Sequence, residues 1–164
     1  MRSNPARIVA LACLPLIACA PPRIGAADAG PVSIRLERVE AMRTSSGDLD
    51  VRCVATLTNT TGHTIHTRTN FASAFDGFSA VVSSEDGAEL ARQSYLYHQS
   101  PYAEDSDVPL SEGTTTKEIV FPIMGLAADL RVVRVRLEGG LLGTPYERGI
   151  VSNEMRAEIT RAPW

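Results

Sequence analysis

LDVRCVATLTNTTG, residues 49–62, decides how this chain folds. Leu49, Val51, Cys53, Ala55 and Leu57 fall on one side of an extended strand; Asp50, Arg52, Thr56 and Thr58 fall on the other, with Val54 the only outward apolar residue. Period-two alternation, β-branched side chains and a closing Asn59-Thr60-Thr61-Gly62 turn predict a half-buried antiparallel strand. Its dry face requires a second layer to cover it.

Working outward, Arg131 to Glu138 (RVVRVRLE) repeats the pattern, with Val133, Val135 and Leu137 inward and Arg134 and Arg136 outward. Ser33 to Val39 predicts a first strand through Ile34, Leu36 and Val39, and His63 to Asn70 a short third one. Phe78 to Ser83 is followed by Ser84-Glu85-Asp86-Gly87, the Asp-Gly signal of a tight hairpin into Ala88 to Tyr97. His98 to Pro109 reads as a loop, and Thr114 to Pro122 as a strand presenting Ile119 and Phe121, with Pro122 ending its hydrogen bonding. Met124 to Asp129 offers one helical turn, Gly139 to Gly149 a Gly-rich connection, and Ser152 to Thr160 a last strand alternating Met155, Ala157 and Ile159 with charges. Together these predict an all-β chain: an antiparallel Ig-like β-sandwich of about seven to eight strands, occupying residues 32–162. Trp164 lies past the last strand, so it is not the mid-strand tryptophan of antibody domains.

The front of the chain has a different character. Arg2 and Arg7 precede an uncharged apolar run from Ile8 to Ala20, the anatomy of a bacterial export signal and too short for a spanning helix of about 20 residues. Leu16-Ile17-Ala18-Cys19 resembles the lipobox of bacterial lipoprotein precursors. That resemblance implies a signal peptide at residues 1–18 and diacylglycerol on Cys19. Ordinary cleavage after Ala20 is the competing reading, but it places Pro21 just past the cut. Ala20, rather than an aspartate, follows the cysteine, which by the same resemblance favours the outer membrane. Residues 19–31, rich in Pro, Gly and Ala, form a flexible tether.

Without Arg2 and Arg7 the chain keeps 14 basic against 19 acidic residues, a net charge of −5 that argues against nucleic acid as a partner. Cys13 leaves with the signal and Cys19 is acylated, so Cys53 has no disulfide partner and is expected to fill the core.

Leu57 to Gly62, the Asp86-Gly87 hairpin and Val108-Pro109-Leu110-Ser111-Glu112-Gly113-Thr114 resemble the corresponding segments of bacterial Ig-like or fibronectin-III-like modules, over roughly Ile34 to Phe121. With the lipobox, the chain resembles small bacterial lipoproteins carrying one such module. The resemblance speaks to fold and localisation, not to activity.

Chemistry is sparse. His63 and His66, three apart at a strand start, are expected on opposite faces, and neither has a third ligand beside it. Asp105 and Asp107 lack the glycine and terminal glutamate of a calcium loop. There is no G-x-S-x-G elbow, no S-x-x-K and no phosphate-binding glycine loop. No enzyme activity, catalytic residue, metal or cofactor is therefore expected. Tyr95, Tyr97, His98 and Tyr102 gather three of the four tyrosines within eight residues, a candidate recognition surface if displayed and a cap on the core if buried. The functional expectation is a lipid-anchored, extracytoplasmic module with a non-catalytic binding or envelope-structural role, its partners a membrane and an unknown protein or envelope polymer. The alternative is an inhibitor or accessory subunit of an extracytoplasmic enzyme, acting through residues 98–109.

Overall fold

The computed structural model describes residues 30–69, 73–95 and 106–161, excluding the side chain of Ser106. The strands are β1 (Val32–Arg43), β2 (Leu49–Asn59), β3 (Ile65–Thr69), β4 (Phe78–Ser83), β5 (Glu89–Ser94), β6 (Ser106–Leu110), β7 (Gly113–Ile123), β8 (Val132–Gly139), β9 (Ile150–Val151) and β10 (Met155–Arg161). Among the described residues there is no helix.

The order β5-β4-β8-β10-β1-β2-β7 makes one sheet, with β9 added to β8, and β3 pairs with β6 as a separate two-stranded sheet. The large sheet curls: the Tyr95 ring, just past β5 at one edge, meets Phe121 on β7 at the other edge edge-on, with centroids 5.9 Å apart. The interior holds the inward residues expected from the alternation. Leu49, Val51, Cys53, Ala55 and Leu57 of β2 and Val133, Val135 and Leu137 of β8 are fully buried, packed with Phe75, Phe78 and Phe121.

The sheet is mixed rather than purely antiparallel. β1 pairs antiparallel with β2 along its whole length, while its last residues, Ala41 to Arg43, pair in parallel with Ile159 to Arg161 of β10. Upstream of that contact the Asn153 side chain replaces a strand: its Oδ1 accepts from Leu36 N–H (2.8 Å) and its Nδ2 donates to the Leu36 carbonyl (3.1 Å). A bulge between Leu36 and Arg38 inserts Glu37 as an extra residue. This shift puts Val39 and Ala41 opposite Cys53 and Val51; without it Arg38 and Glu40 would enter the core.

Three other sequence expectations need correction. Residues 98–109 are not loop throughout, because Ser106 to Leu110 is β6, registered with Pro109 opposite His66 and Leu110 opposite Ile65. Its polar composition hides a strand in which Leu110 is buried. Met124 to Asp129 forms no helical turn; Leu130 N–H closes a turn on the Ala127 carbonyl. β7 runs through Pro122 to Ile123, which an edge strand permits because it has one unpaired side. The Asp-Gly hairpin is present: Gly87 adopts φ +90°, and Ser84 and Ala88 close the turn.

Candidate functional site

The two-stranded sheet is held against the large one by the side chain that ends β2. Asn59 is fully buried. Its Nδ2 donates to the carbonyls of His63 (2.9 Å) and Leu110 (3.0 Å), and its Oδ1 accepts from Thr61 N–H (3.0 Å) and Thr61 Oγ1 (2.7 Å). One amide thus ties together the β2 terminus, the 60–63 turn and β6, using all four of its hydrogen-bonding positions. On the other side Arg68 N–H of β3 donates to the Leu142 carbonyl (3.0 Å). That loop is positioned by close backbone approach: a Cβ on Gly140 would lie 2.2 Å from the Tyr146 carbonyl oxygen, and one on Gly77 would lie 2.0 Å from the Gly140 carbonyl oxygen.

Between β6 and β7 the small sheet separates from the large one, leaving a cleft of about 240 Å³. Its walls include Thr115, Thr116 and Lys117 of β7 and Val108 to Leu110 of β6, over Ala74 and Phe75. Thr114, Thr115 and Thr116 are exposed, although Thr115 pairs with the buried Leu57. Lys117, the only lysine in the chain, donates to Ser73 Oγ (2.8 Å) and sits 5.3 Å from the centroid of the Tyr95 ring. Beside it, Asp76 Oδ2 accepts from Thr69 Oγ1 (2.6 Å) and Ser73 N–H (3.3 Å), and Oδ1 is buried with no hydrogen-bond partner among the described residues. Burial pushes the Asp76 carboxyl above its ordinary value of 3.8, against the lowering pull of Thr69, Ser73 and Lys117. Lys117 therefore clamps the 73–76 turn to β7, with its ammonium over an aromatic face.

Residues 63–66, at the start of β3, and the loop at residues 143–146 line a cavity of about 260 Å³. His63 precedes β3, in the turn fixed by Asn59, and His66 lies within β3. His66 Nδ1 lies 2.9 Å from Asp107 Oδ2, and His63 Nδ1 lies 3.2 Å from the Thr61 carbonyl oxygen. No group of three or more His, Cys, Asp or Glu side chains able to hold a metal occurs among the described residues.

Of the residues singled out from sequence, Tyr95 is buried, with 8% of its surface exposed. Cys19, Tyr97, His98, Tyr102, Asp105 and Trp164 lie outside the described residues. Cys53 is enclosed, and burial pushes its thiol up to about 12, which suits a core filler and not a nucleophile. Sequence reasoning passed over Asn59 and Lys117. The signal for the first was its place at the end of a buried alternation, where an inward position is occupied by an amide. For the second it was the singularity of one lysine among sixteen basic residues.

The sides of β5 and β8 turned from the core carry linked charges. Arg92 bridges Glu89 and Glu138, Arg136 meets Glu138 (2.6 Å), and Arg134 meets Glu154 (3.2 Å). Burial alone would raise Glu138, but the bonds from Arg136 and Arg92 outweigh it and hold the carboxyl below its ordinary range. Such partly exposed pairs add little stability each. Comparison with protein-family models and with curated proteins finds no match.

Proposed function

We propose that this chain is an extracytoplasmic, lipid-anchored β-module of the Ig-like and fibronectin-III-like kind, which binds a protein or envelope polymer without catalysing a reaction. The observation that carries the binding reading is the cleft between β6 and β7. These consecutive strands, joined only by Ser111 and Glu112, pair away from each other, β6 with β3 and β7 with β2. That divergence leaves a row of exposed threonines and one half-buried ammonium beside an apolar floor. Hydroxyl donors and a fixed cation over apolar contact area suit a polar, extended ligand.

Support for the module type comes from the two walls of the sheet, β1-β2-β7 and β10-β8-β4-β5, joined where the end of β1 pairs with β10. Support for the anchor comes from the uncharged run at residues 8–20, the Leu16 to Cys19 sequence and the position of β1, which begins at Val32 beyond a Pro- and Gly-rich connection. Ala20 after the cysteine directs the reading to an outer membrane.

The test is capture from envelope extract by the immobilised chain from Gly30 onward, which retains every described strand. Binding of intact envelope polymer or protein, lost with Thr115→Arg at an unchanged melting temperature, supports the cleft. Chemical conversion of the captured material contradicts a non-catalytic role. Capture of a stoichiometric protease that is lost on deleting residues 99–107 but survives Thr115→Arg would instead assign the inhibitor function.

A further inference from the structure

We propose that the cleft between β6 and β7 receives an extended, acidic peptide segment of a partner protein, which adds a strand to the edge of β7 and sets a carboxylate against Lys117. This names the ligand class of the binding cleft proposed above and rests on that reading. β7 runs for 11 residues against β2 in unbroken register, from Gly113 opposite Asn59 to Ile123 opposite Leu49. It is the last strand of its sheet, and among the described residues no backbone-to-backbone hydrogen bond leaves its other side. An unpaired strand edge is a row of N–H and C=O groups that another extended chain completes. A sugar polymer has hydroxyls but no such backbone repeat.

The inner face of β7 changes character along its length. Ile119, Phe121 and Ile123 are buried. Thr115 and Lys117 continue the same alternation, opposite the fully buried Leu57 and Ala55, yet Thr115 is exposed and Lys117 only half-buried. Both residues line the cleft, together with Ala74, Phe75 and Leu110. A strand added at this edge places its inward side chains beside Thr115 and Lys117 at ordinary cross-strand spacing.

Charge selects the side chain that fits there. On the outer face of β7, Glu118 meets both Arg38 (3.6 Å) and Arg52 (3.5 Å). Lys117, one position before and facing inward, makes no salt bridge among the described residues; its ammonium donates to Ser73 Oγ and lies 5.3 Å from the centre of the Tyr95 ring. Asp76, the carboxylate that Lys117 acts on electrostatically, turns Oδ2 to Thr69 and Ser73 instead. An ammonium has three donors, so a peptide carboxylate supplies the counter-charge that this half-buried cation lacks, where pairing is stronger than at an open surface.

The test is to pan a random peptide library against the immobilised, detergent-purified full chain and to measure the selected peptides by calorimetry. Expected are peptides that share an aspartate or glutamate and shift backbone amide resonances of residues 113–117. Replacing that acid by its amide is expected to lower affinity by about tenfold on the wild-type chain. On Lys117→Gln the acid and amide peptides should bind equally, whereas Lys117→Arg, which keeps the charge, should restore the preference for the acid. Comparing two peptides on one folded variant separates this coupling from loss of the clamp on Ser73. Methylation of alternate peptide nitrogens is expected to abolish binding. An acid preference that persists in Lys117→Gln, or binding indifferent to backbone methylation, would overturn the inference; if those peptides are still lost with Thr115→Arg, the binding cleft stands. Selection of no peptide, with the anionic polysaccharide polygalacturonate bound and then lost in Thr115→Arg, would likewise overturn the inference alone. Failure of both peptides and polysaccharide to bind would overturn the inference and the cleft reading together.

Discussion

Replacing Asn59 gives the sharpest test of how the two sheets are joined. In Asn59→Ala the Leu110 carbonyl, buried at the joint, loses its donor, and the Thr61 and His63 groups lose partners that water replaces only in part. An unpaired buried carbonyl costs about 1–3 kcal/mol, and each remaining bond about 1 kcal/mol. The expected loss is therefore about 3–4 kcal/mol, roughly 10 °C in melting temperature for a domain of this size. Asn59→Asp keeps the acceptor that serves Thr61 but turns a carboxylate oxygen toward two carbonyl oxygens. At pH 7 it should be less stable than the alanine variant. Its folded pKa is raised above the unfolded value of about 3.9, so the charge penalty is absent below that pH. The penalty grows as pH rises through the folded value. Urea unfolding of the chain from Gly30, followed by far-ultraviolet circular dichroism at pH 4 and pH 7, measures both effects. A loss under about 1 kcal/mol in Asn59→Ala, or an Asn59→Asp variant as stable as wild type at pH 7, would refute the reasoning.

Other expectations follow from single side chains. Cys53, fully buried with its thiol raised to about 12, should resist a thiol reagent at pH 8 in folded protein and react at once in urea; rapid labelling of native protein would contradict its burial. Leu137→Ala removes a fully buried side chain facing the β2 wall and should cost about 2–5 kcal/mol in chemical denaturation. Asp76 ionises in the folded chain above its ordinary 3.8, so the stability linked to it is full below that pH and falls as pH rises through the folded value. Asp76→Asn should flatten that decline, and an unchanged pH profile would count against it. Gly140→Ala sets a methyl against the Tyr146 carbonyl and should destabilise the loop, seen as faster hydrogen exchange at Leu141, whose N–H bonds to that carbonyl.

The inward faces of β2 and β8 were legible because period-two alternation on a half-buried strand has a single physical solution: Leu49 to Leu57 and Val133 to Leu137 lie where the pattern placed them. The β1 bulge was not legible. Glu37 and Arg38 interrupt the alternation, and only pairing with β2 reveals that one residue is skipped. β6 was read as loop because five residues containing Asp107 and Pro109 carry no apolar stripe; its strand exists through β3 and the Asn59 bond to Leu110, both distant in sequence. The parallel contact of β1 with β10 likewise depends on two strands more than a hundred positions apart, which no local pattern encodes. At the candidate sites, residue types were visible but their association was not. Lys117 reaches Ser73 across 44 positions, and His66 reaches Asp107 across 41.

The claim that the curled β-domain is held to a lipid leaflet is tested most directly by growing cells that express the full chain with radiolabelled palmitate and comparing it with Cys19→Ser. The account predicts label on the wild-type protein in the membrane fraction and none on the variant. An unlabelled wild-type chain, or label that persists in Cys19→Ser, would contradict it.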